Sequence, residues 1–413
     1  MVGRFTSPHF MYRWDCININ NKPVEKALFK ETETEIRTVA TIVENELQKS
    51  GRSAEKVTNF EILTATAFTL FDKAKCDVAI IECGLGGKLD ATNALPDEAI
   101  ACSIITSISL DHVDMLGGSI DSIIEQKLGI VRRDVPVVVA QSQDLETLRK
   151  IFAVLEKQQH KFCPADNEML LTESSHIGTR AVLEDLLPHQ LGNLATAHLA
   201  TTLSVNSGLE RLPAVTLASH VDQLESLPDV LEDAANSYPG RLQLLRPQWS
   251  ERTLGDKYPT LINLPLLLDG AHNEDSAKVL RAYVSTRMPR DKPAVWILAF
   301  SAGKDISLIL RVLIKPKDRV IFTRFGIYGP VDGMSWVRSA ALDDLQNYAG
   351  EADCGESVIA YTNDLRGALQ VCEAEFAKDK RWQDLPNVVI AGSLYLVSDF
   401  LRLTAEGSDS LKD

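Results

Sequence analysis

The chain has 413 residues, 45% of them hydrophobic and 24% charged, and 57 acidic against 43 basic side chains leave a net charge of −14. That length suits two domains of ordinary size, and the composition is that of a soluble globular protein. The acidic balance excludes a nucleic-acid binder working through a basic face, no apolar run approaches the roughly 18 residues of a membrane span, and any anionic substrate must be held by local groups.

In chain order, 58–71 carries a helical pattern that opens on Thr58-Asn59-Phe60-Glu61, the spacing of a capping box. Residues 77–82 form a short apolar run ending on Glu82 and the turn Gly84-Leu85-Gly86-Gly87. A second run, 101–108, leads to Asp111-His112, a helical pattern covers 119–131, and a third run covers 136–140. Short apolar strands alternating with helices predict a parallel sheet covered on both faces, with ligands at the carboxyl ends of its strands, where Glu82 and His112 fall. After Pro239-Gly240 a second alternation places strands at 266–269, 294–300, 319–323, 357–361 and 387–391, with helices at 275–286, 305–314, 364–376 and 394–403. The acidic stretch 227–239 is the boundary candidate. The reading is an α/β protein of two domains, 1–235 and 236–413, with a cleft between them. The seven cysteines (Cys16, Cys76, Cys83, Cys102, Cys163, Cys354 and Cys372) are odd in number and form no C-x-x-C, as for reduced thiols.

Several residue types suggest chemistry. Glu82, at a strand end before glycines, suits a hard cation such as Mg²⁺; a solvated or helix-capping carboxylate is the plain alternative. G-x-G-G does not match the dinucleotide fingerprint G-x-G-x-x-G. His112 on the same sheet edge is a second candidate metal ligand or a phosphate contact. Lys127 lies on the stripe of Ile120, Ile123, Ile124 and Leu128, where desolvation disfavours the charged amine. A neutral amine can serve as base or take up CO₂ as a carbamate; a lysine whose stem packs while its head reaches water is the alternative. Downstream, Asp269 could bond a ribose and His272 a phosphate or carboxylate near a helix start, while Asn273 could be an N-cap. Arg241, after Pro239-Gly240, could reach a nucleotide or lie on the surface as a linker residue.

Taken together, these motifs resemble the folate branch of the Mur ligase family, dihydrofolate synthase and folylpolyglutamate synthase. The resemblance runs almost end to end: Phe5-Thr-Ser-Pro-His9, Ile17-Asn-Ile-Asn-Asn-Lys-Pro23, Thr58-Asn-Phe-Glu61, Glu82 through Asn93, Ile108-Ser-Leu-Asp-His112, Gln126-Lys-Leu-Gly-Ile130, His189-Gln-Leu-Gly-Asn193, Pro239-Gly-Arg-Leu-Gln243, Asp269-Gly-Ala-His-Asn273 and Gly392-Ser-Leu-Tyr395. Thr323-Arg-Phe325 with Val331 through Trp336 is most similar to the fungal dihydrofolate synthases. The resemblance implies a P-loop-type ATPase domain followed by a Rossmann-like domain. It also implies ligation of L-glutamate to dihydropteroate through an acyl phosphate, with ATP and Mg²⁺. By the same resemblance Glu82 and His112 are metal ligands, Lys127 is the carbamylated lysine and His272 a second catalytic residue. Asn193, Arg241, Asp269 and His272 contact ATP; Thr58, Asn59, Phe60, Glu61, Leu89, Asp90 and Ala91 line the pterin site. Glutamate addition to tetrahydrofolate is the alternative reaction, and a truncated, non-catalytic paralogue binding folate or a protein partner is the alternative of another class.

The chain departs from the family in carrying Lys88 for an arginine and Leu128 for an alanine. Neither Gly87-Lys88-Leu89 nor Gly303-Lys304-Asp305 completes the phosphate-binding motif G-x-x-x-x-G-K-[ST]. The family's G-T-N-G-K-G-S loop would precede Phe5, so the expectation is a chain starting at an internal methionine. It would lack one central strand, expose that strand's apolar neighbours, and turn over poorly. A cytoplasmic monomer, with a mitochondrial location open, completes the expectations; nucleic acid and membrane are not expected partners.

Overall fold

The structure, a computed structural model, describes residues 1–51, 56–110, 113–173, 183–184, 186–208, 238–245, 257–288, 293–326, 337–378 and 387–405. It divides into two compact units, Met1–His9 with Trp14–Asp233, and Phe10–Arg13 with Ala234–Asp413. Among the described residues no helix is long and apolar enough to cross a membrane.

The first unit contains β1 (Val2–Phe5), β2 (Ile17–Ile19), β3 (Lys22–Pro23), α1 (Lys26–Lys49), α2 (Asn59–Lys73) and β4 (Val78–Ile81). It continues with β5 (Ser103–Ile105), α3 (Val113–Leu116), α4 (Ile120–Leu128), β6 (Val137–Ala140), α5 (Leu145–Lys157), β7 (Phe162–Ala165), α6 (Asn167–Glu173) and α7 (Pro188–Gly208). One sheet has the order β3-β2-β1-β4 and a second the order β5-β6-β7. β1 runs parallel to β4, and β5, β6 and β7 are mutually parallel. The single parallel sheet expected across 77–82, 101–108 and 136–140 is instead divided, because β4 pairs with β1 and not with β5, so the strand that leads to Glu82 and the one that leads towards His112 do not share a sheet edge. The β1–β2–β3 meander is antiparallel, a departure from the expected alternation. Its tight turn is Asn20-Asn21, both at positive φ (49° and 62°), the conformation a two-residue hairpin loop requires.

Burial explains why β6 is legible in the sequence. Val137 and Val139 join Ile123, Ile124, Leu148 and Ile151 on one face, and Val138 meets Ala165 and Ala200 on the other. β4 has an equally apolar sequence, yet Val78 is 43% and Ile80 57% exposed, and Ile104 of β5 is 38% exposed. Phe5, Ile17, Phe29, Leu63, Leu70 and Phe71 form the core that joins the first sheet to α1 and α2.

The second unit contains β8 (Gln243–Leu245), β9 (Leu266–Leu268), α8 (Glu274–Arg287), β10 (Ala294–Leu298), α9 (Ile306–Leu313), β11 (Arg319–Phe322), α10 (Leu342–Glu351), β12 (Val358–Tyr361), α11 (Leu365–Lys378), β13 (Asn387–Ala391) and α12 (Leu394–Ala405). One sheet has the order β12-β11-β10-β13-β9-β8. Only β8 pairs antiparallel; the other pairings are parallel. Successive residues of β10 enter opposite cores: Trp296 and Leu298 meet Leu280 and Leu310, while Val295 and Ile297 meet Leu369 and Phe400. β13 inserts between β9 and β10, so the order reverses there. This is the kind of switch point at which α/β sheets open a crevice at the strands' carboxyl ends.

Buried Asp318 ties the other end of this sheet together. It accepts Arg281 Nη1 at 2.7 Å, Ala294 N at 3.0 Å, Trp296 Nε1 at 3.2 Å and Lys315 N at 3.0 Å. Of the boundary stretch 227–239, residues 227–237 lie outside the described residues.

Candidate active site

β4 delivers Glu82 just past its carboxyl end, where Glu82 N donates to Phe5 O at 2.9 Å and Glu82 Oε2 accepts Ser7 N at 3.1 Å. The carboxylate is exposed. The glycine turn that follows is shaped by close approaches. A Cβ on Gly84 would lie 2.4 Å from the Phe60 ring, which itself stacks on Phe5 at 6.1 Å. Gly86 takes φ +68°, a left-handed conformation in which glycine costs least. A Cβ on Gly87 would meet Ile130 Cγ2 at 2.7 Å, Gln126 O at 3.0 Å and Lys127 O at 3.1 Å, so the loop lies directly on the last turn of α4.

Asp90 closes the loop from within. Its Oδ2 accepts Leu85 N at 2.8 Å, and its Oδ1 accepts Thr92 N at 3.0 Å and Thr92 Oγ1 at 2.6 Å. Leu89, at the loop tip, is 87% exposed, and Ala91 begins the 3₁₀ turn Ala91–Ala94. Lys88 N donates to Gln126 O at 2.8 Å, and Lys88 Nζ pairs with Glu125 at 3.0 Å.

Lys127 stands in that last turn, half-buried, while Ile123, Ile124 and Leu128 are buried around it. The stripe drawn from spacing is therefore the packed face of α4. Cys83 lies within electrostatic reach of Lys127, Asp90 and Glu82. Burial pushes its thiol up; the hydrogen bond from Thr92 and the nearby Lys127 charge pull it down, and the Asp90 and Glu82 carboxylates push it up. Glu82, Asp90 and Lys127 thus all act on the electrostatics of one half-buried thiol.

Thr58 and Glu61 complete a reciprocal capping box on α2. Glu61 N donates to Thr58 Oγ1 at 3.2 Å, and Glu61 Oε2 accepts Thr58 N at 2.6 Å and Thr58 Oγ1 at 2.7 Å. Asn59 Oδ1 accepts Arg37 Nη2 at 3.3 Å. Phe60 is the member of this motif that reaches the glycine loop.

In the second unit, Asp269 follows β9 and is 8% exposed. Its Oδ2 accepts Leu242 N and its Oδ1 accepts Ala271 N, both at 2.8 Å. Burial pushes its carboxyl pKa up, against those two backbone donors and the nearby Arg241 charge. A Cβ on Gly270 would lie 2.4 Å from Leu394 Cδ2 and 2.7 Å from Arg241 Nη1. His272 Nδ1 lies 2.9 Å from Gly270 O, and Asn273 caps α8. Asp269 and His272 therefore share the turn at the carboxyl end of β9, and Arg241, from the segment before β8, lies beside it.

Asn193, predicted beside them at the nucleotide, is exposed on α7 in the first unit. Asp111, His112 and 331–336 lie outside the described residues. Among the described residues no three His, Cys, Asp or Glu side chains converge as a metal cluster. Spacing alone gives no role to Asn93 and Arg132, which bond one another across the loop at 2.6 Å. They are 39 residues apart, so no local pattern marks the pair.

Comparison with known proteins identifies the family. Residues 256–403 match the model of the dihydrofolate synthetase C-terminal domain. A relative from Schizosaccharomyces pombe, "Probable dihydrofolate synthetase", is 32% identical over 412 residues, spanning 97% of this chain and 86% of its own length. The dihydrofolate synthetase of Saccharomyces cerevisiae is 29% identical over the same two shares. Among solved structures, the Mycobacterium tuberculosis folylpolyglutamate synthase complexed with ADP superposes with a TM-score of 0.74 at 25% identity, covering 98% of this chain and 84% of that one. Overlap of this extent at this identity establishes that the chain belongs to the dihydrofolate synthetase family.

Proposed function

We propose that the protein ligates L-glutamate to dihydropteroate at the expense of ATP, giving dihydrofolate, ADP and phosphate. The observation that carries this reading is the glycine loop 84–90, which follows Glu82 and is seated at Gly87 on the turn of α4 that bears Lys127, in a chain that matches fungal dihydrofolate synthetases over 97% of its length.

In this reading the pteroate carboxylate attacks the γ-phosphorus of ATP, forming an acyl phosphate and releasing ADP. The glutamate amine then attacks the acyl carbon, and phosphate leaves with one former carboxylate oxygen. Catalysis of such a transfer is mainly positioning and charge stabilisation. The half-buried Lys127 amine holds or moves a proton at Nζ, or carries a carbamate. Asp90 keeps the loop shut, with Leu89 and Ala91 at its exposed rim towards the pterin, together with the α2 motif Thr58 to Glu61. Asp269 organises the turn that presents Arg241 and His272 to the nucleotide, Asn193 being a further nucleotide contact.

A divalent metal fits the donor chemistry at Glu82, an exposed carboxylate oxygen of the kind Mg²⁺ prefers while keeping several waters. Glu82, with His112, would hold it, and its chemistry would be to neutralise phosphate charge.

The test is mass spectrometry of products after incubation with ATP, Mg²⁺, isotopically labelled L-glutamate and either dihydropteroate or tetrahydrofolate. Labelled dihydrofolate is the expected product. Label found only on tetrahydrofolate would assign the alternative reaction, and absence of label from both would refute a ligase.

A further inference from the structure

Lys127 can serve the glycine loop only if the last turn of α4 stays pressed against it; Leu85 of the loop packs on the core that includes Ile123, Ile124 and Leu128, and nearer Lys127 the approach is through backbone. Backbone meets backbone there: a Cβ on Gly129 would lie 2.3 Å from Lys88 Cβ and 2.5 Å from Lys88 Cα. Such an approach brings carbonyl dipoles together at a helix C-terminus, where the partial negative charge is uncompensated unless a cation or donors cover it.

Asn93 and Arg132 cover it. Asn93 Nδ2 donates to Lys88 O at 3.1 Å and to Gly129 O at 3.2 Å, bridging the loop and the helix end with one amide. Arg132 Nη1 donates to Gly129 O at 3.2 Å, and Nη2 donates to Asn93 O at 3.2 Å and to Asn93 Oδ1 at 2.6 Å. Arg132 Nε pairs with Asp97 Oδ1 at 2.7 Å, and the arginine side chain is only 14% exposed. The planar fork thus joins three segments: the glycine loop through Asn93, the end of α4 through Gly129, and the 3₁₀ turn Asp97–Ala99. A point charge on a flexible stem does not reproduce that geometry.

We propose that Arg132 is a positioning residue which, through Asn93, locks Lys127 onto the glycine loop. Its catalytic consequence rests on the ligase reading given above; its structural consequence does not. Losing the charge-assisted bonds would open the contact by an energy worth about tenfold or more in the local closing equilibrium.

The test is competitive acetylation of the whole ligand-free protein with trace acetic anhydride across a pH series, read per lysine by mass spectrometry. Arg132→Ala, Arg132→Lys and Asn93→Ala are compared with wild type, and Lys150 on α5 and Lys278 on α8 serve as internal standards. Lys127 labelling is expected to rise about tenfold in all three variants, while Lys150 and Lys278 are unchanged. In Arg132→Ala, guanidinium at a non-denaturing concentration should restore the wild-type extent of Lys127 labelling and ammonium should not. Unchanged Lys127 labelling, a rise shared by the two standards, or rescue by ammonium as effective as by guanidinium would each overturn the proposal. A turnover assay beside it should show kcat reduced at least tenfold in Arg132→Lys with KM for ATP unaltered; a wild-type protein without turnover would refute the ligase reading while leaving the labelling result to decide the clamp.

Discussion

The two units use the same alternation of strand and helix to different ends. In the second, six strands of the described residues form one sheet, β10 and β13 are buried at every position, and a polar node at Asp318 closes the end of the sheet opposite the Asp269 turn. In the first, seven strands fall into two sheets, and the strand that carries Glu82 is exposed at three of its four residues. Apolar burial organises the second unit. The candidate site of the first is held by glycine contacts, a carboxylate turn and an asparagine–arginine clamp. Stability and site geometry are thus separable here, and substitutions can show it.

The largest effects should fall one in each unit. Lys127→Ala should lower kcat by at least about 10²-fold, the scale of a positioned acid–base group, with a urea midpoint near wild type because alanine suits the apolar face. Asp318→Ala should do the reverse. It removes a buried carboxylate that four donors address, Arg281 among them, and should cost about 3–5 kcal/mol of stability, read from chemical denaturation. An unstable Lys127→Ala or a fully stable Asp318→Ala would erase the contrast.

Intermediate effects test the glycine loop. Gly84→Ala places a methyl 2.4 Å from the Phe60 ring and should cost about 1–3 kcal/mol, together with activity. Adding Phe60→Leu should recover part of that cost, visible as a non-zero coupling in a double-mutant cycle. The smallest effect should come from Ile80→Thr on the exposed β4, within about 0.5 kcal/mol, against about 0.5–1.5 kcal/mol for Ile297→Val in fully buried β10. Equal costs at the two positions would show that β4 is covered in solution.

The parallel strands β6, β9, β10, β11 and β13 are legible in the sequence as unbroken apolar runs such as Val137-Val-Val-Ala140, whereas β7, with Cys163 and Pro164 at its centre, carries no such run. The switch-point turn at Asp269 and the packed stripe around Lys127 are legible for the same reason, an apolar period that ends or is interrupted at one polar residue. α1 is not. The residues it buries most deeply are Phe29, Thr32 and Glu33, so polar side chains hide its period. β1 to β3 are short and joined by a turn whose signal, Asn20-Asn21, is only two residues long. The Arg132–Asn93 clamp is illegible for a different reason: each of its bonds across the loop depends on tertiary placement. The same holds for Ser7, whose contribution to Glu82 is a backbone N–H.

The central claim is that the pteroate carboxylate is activated by phosphorylation, and one isotope measurement addresses it. Dihydropteroate labelled with ¹⁸O in its carboxylate is incubated with the protein, ATP, Mg²⁺ and L-glutamate, and the released phosphate is analysed by mass spectrometry. One ¹⁸O atom per phosphate, matched to dihydrofolate formed, is the predicted result. Phosphate free of ¹⁸O while dihydrofolate accumulates would contradict the account.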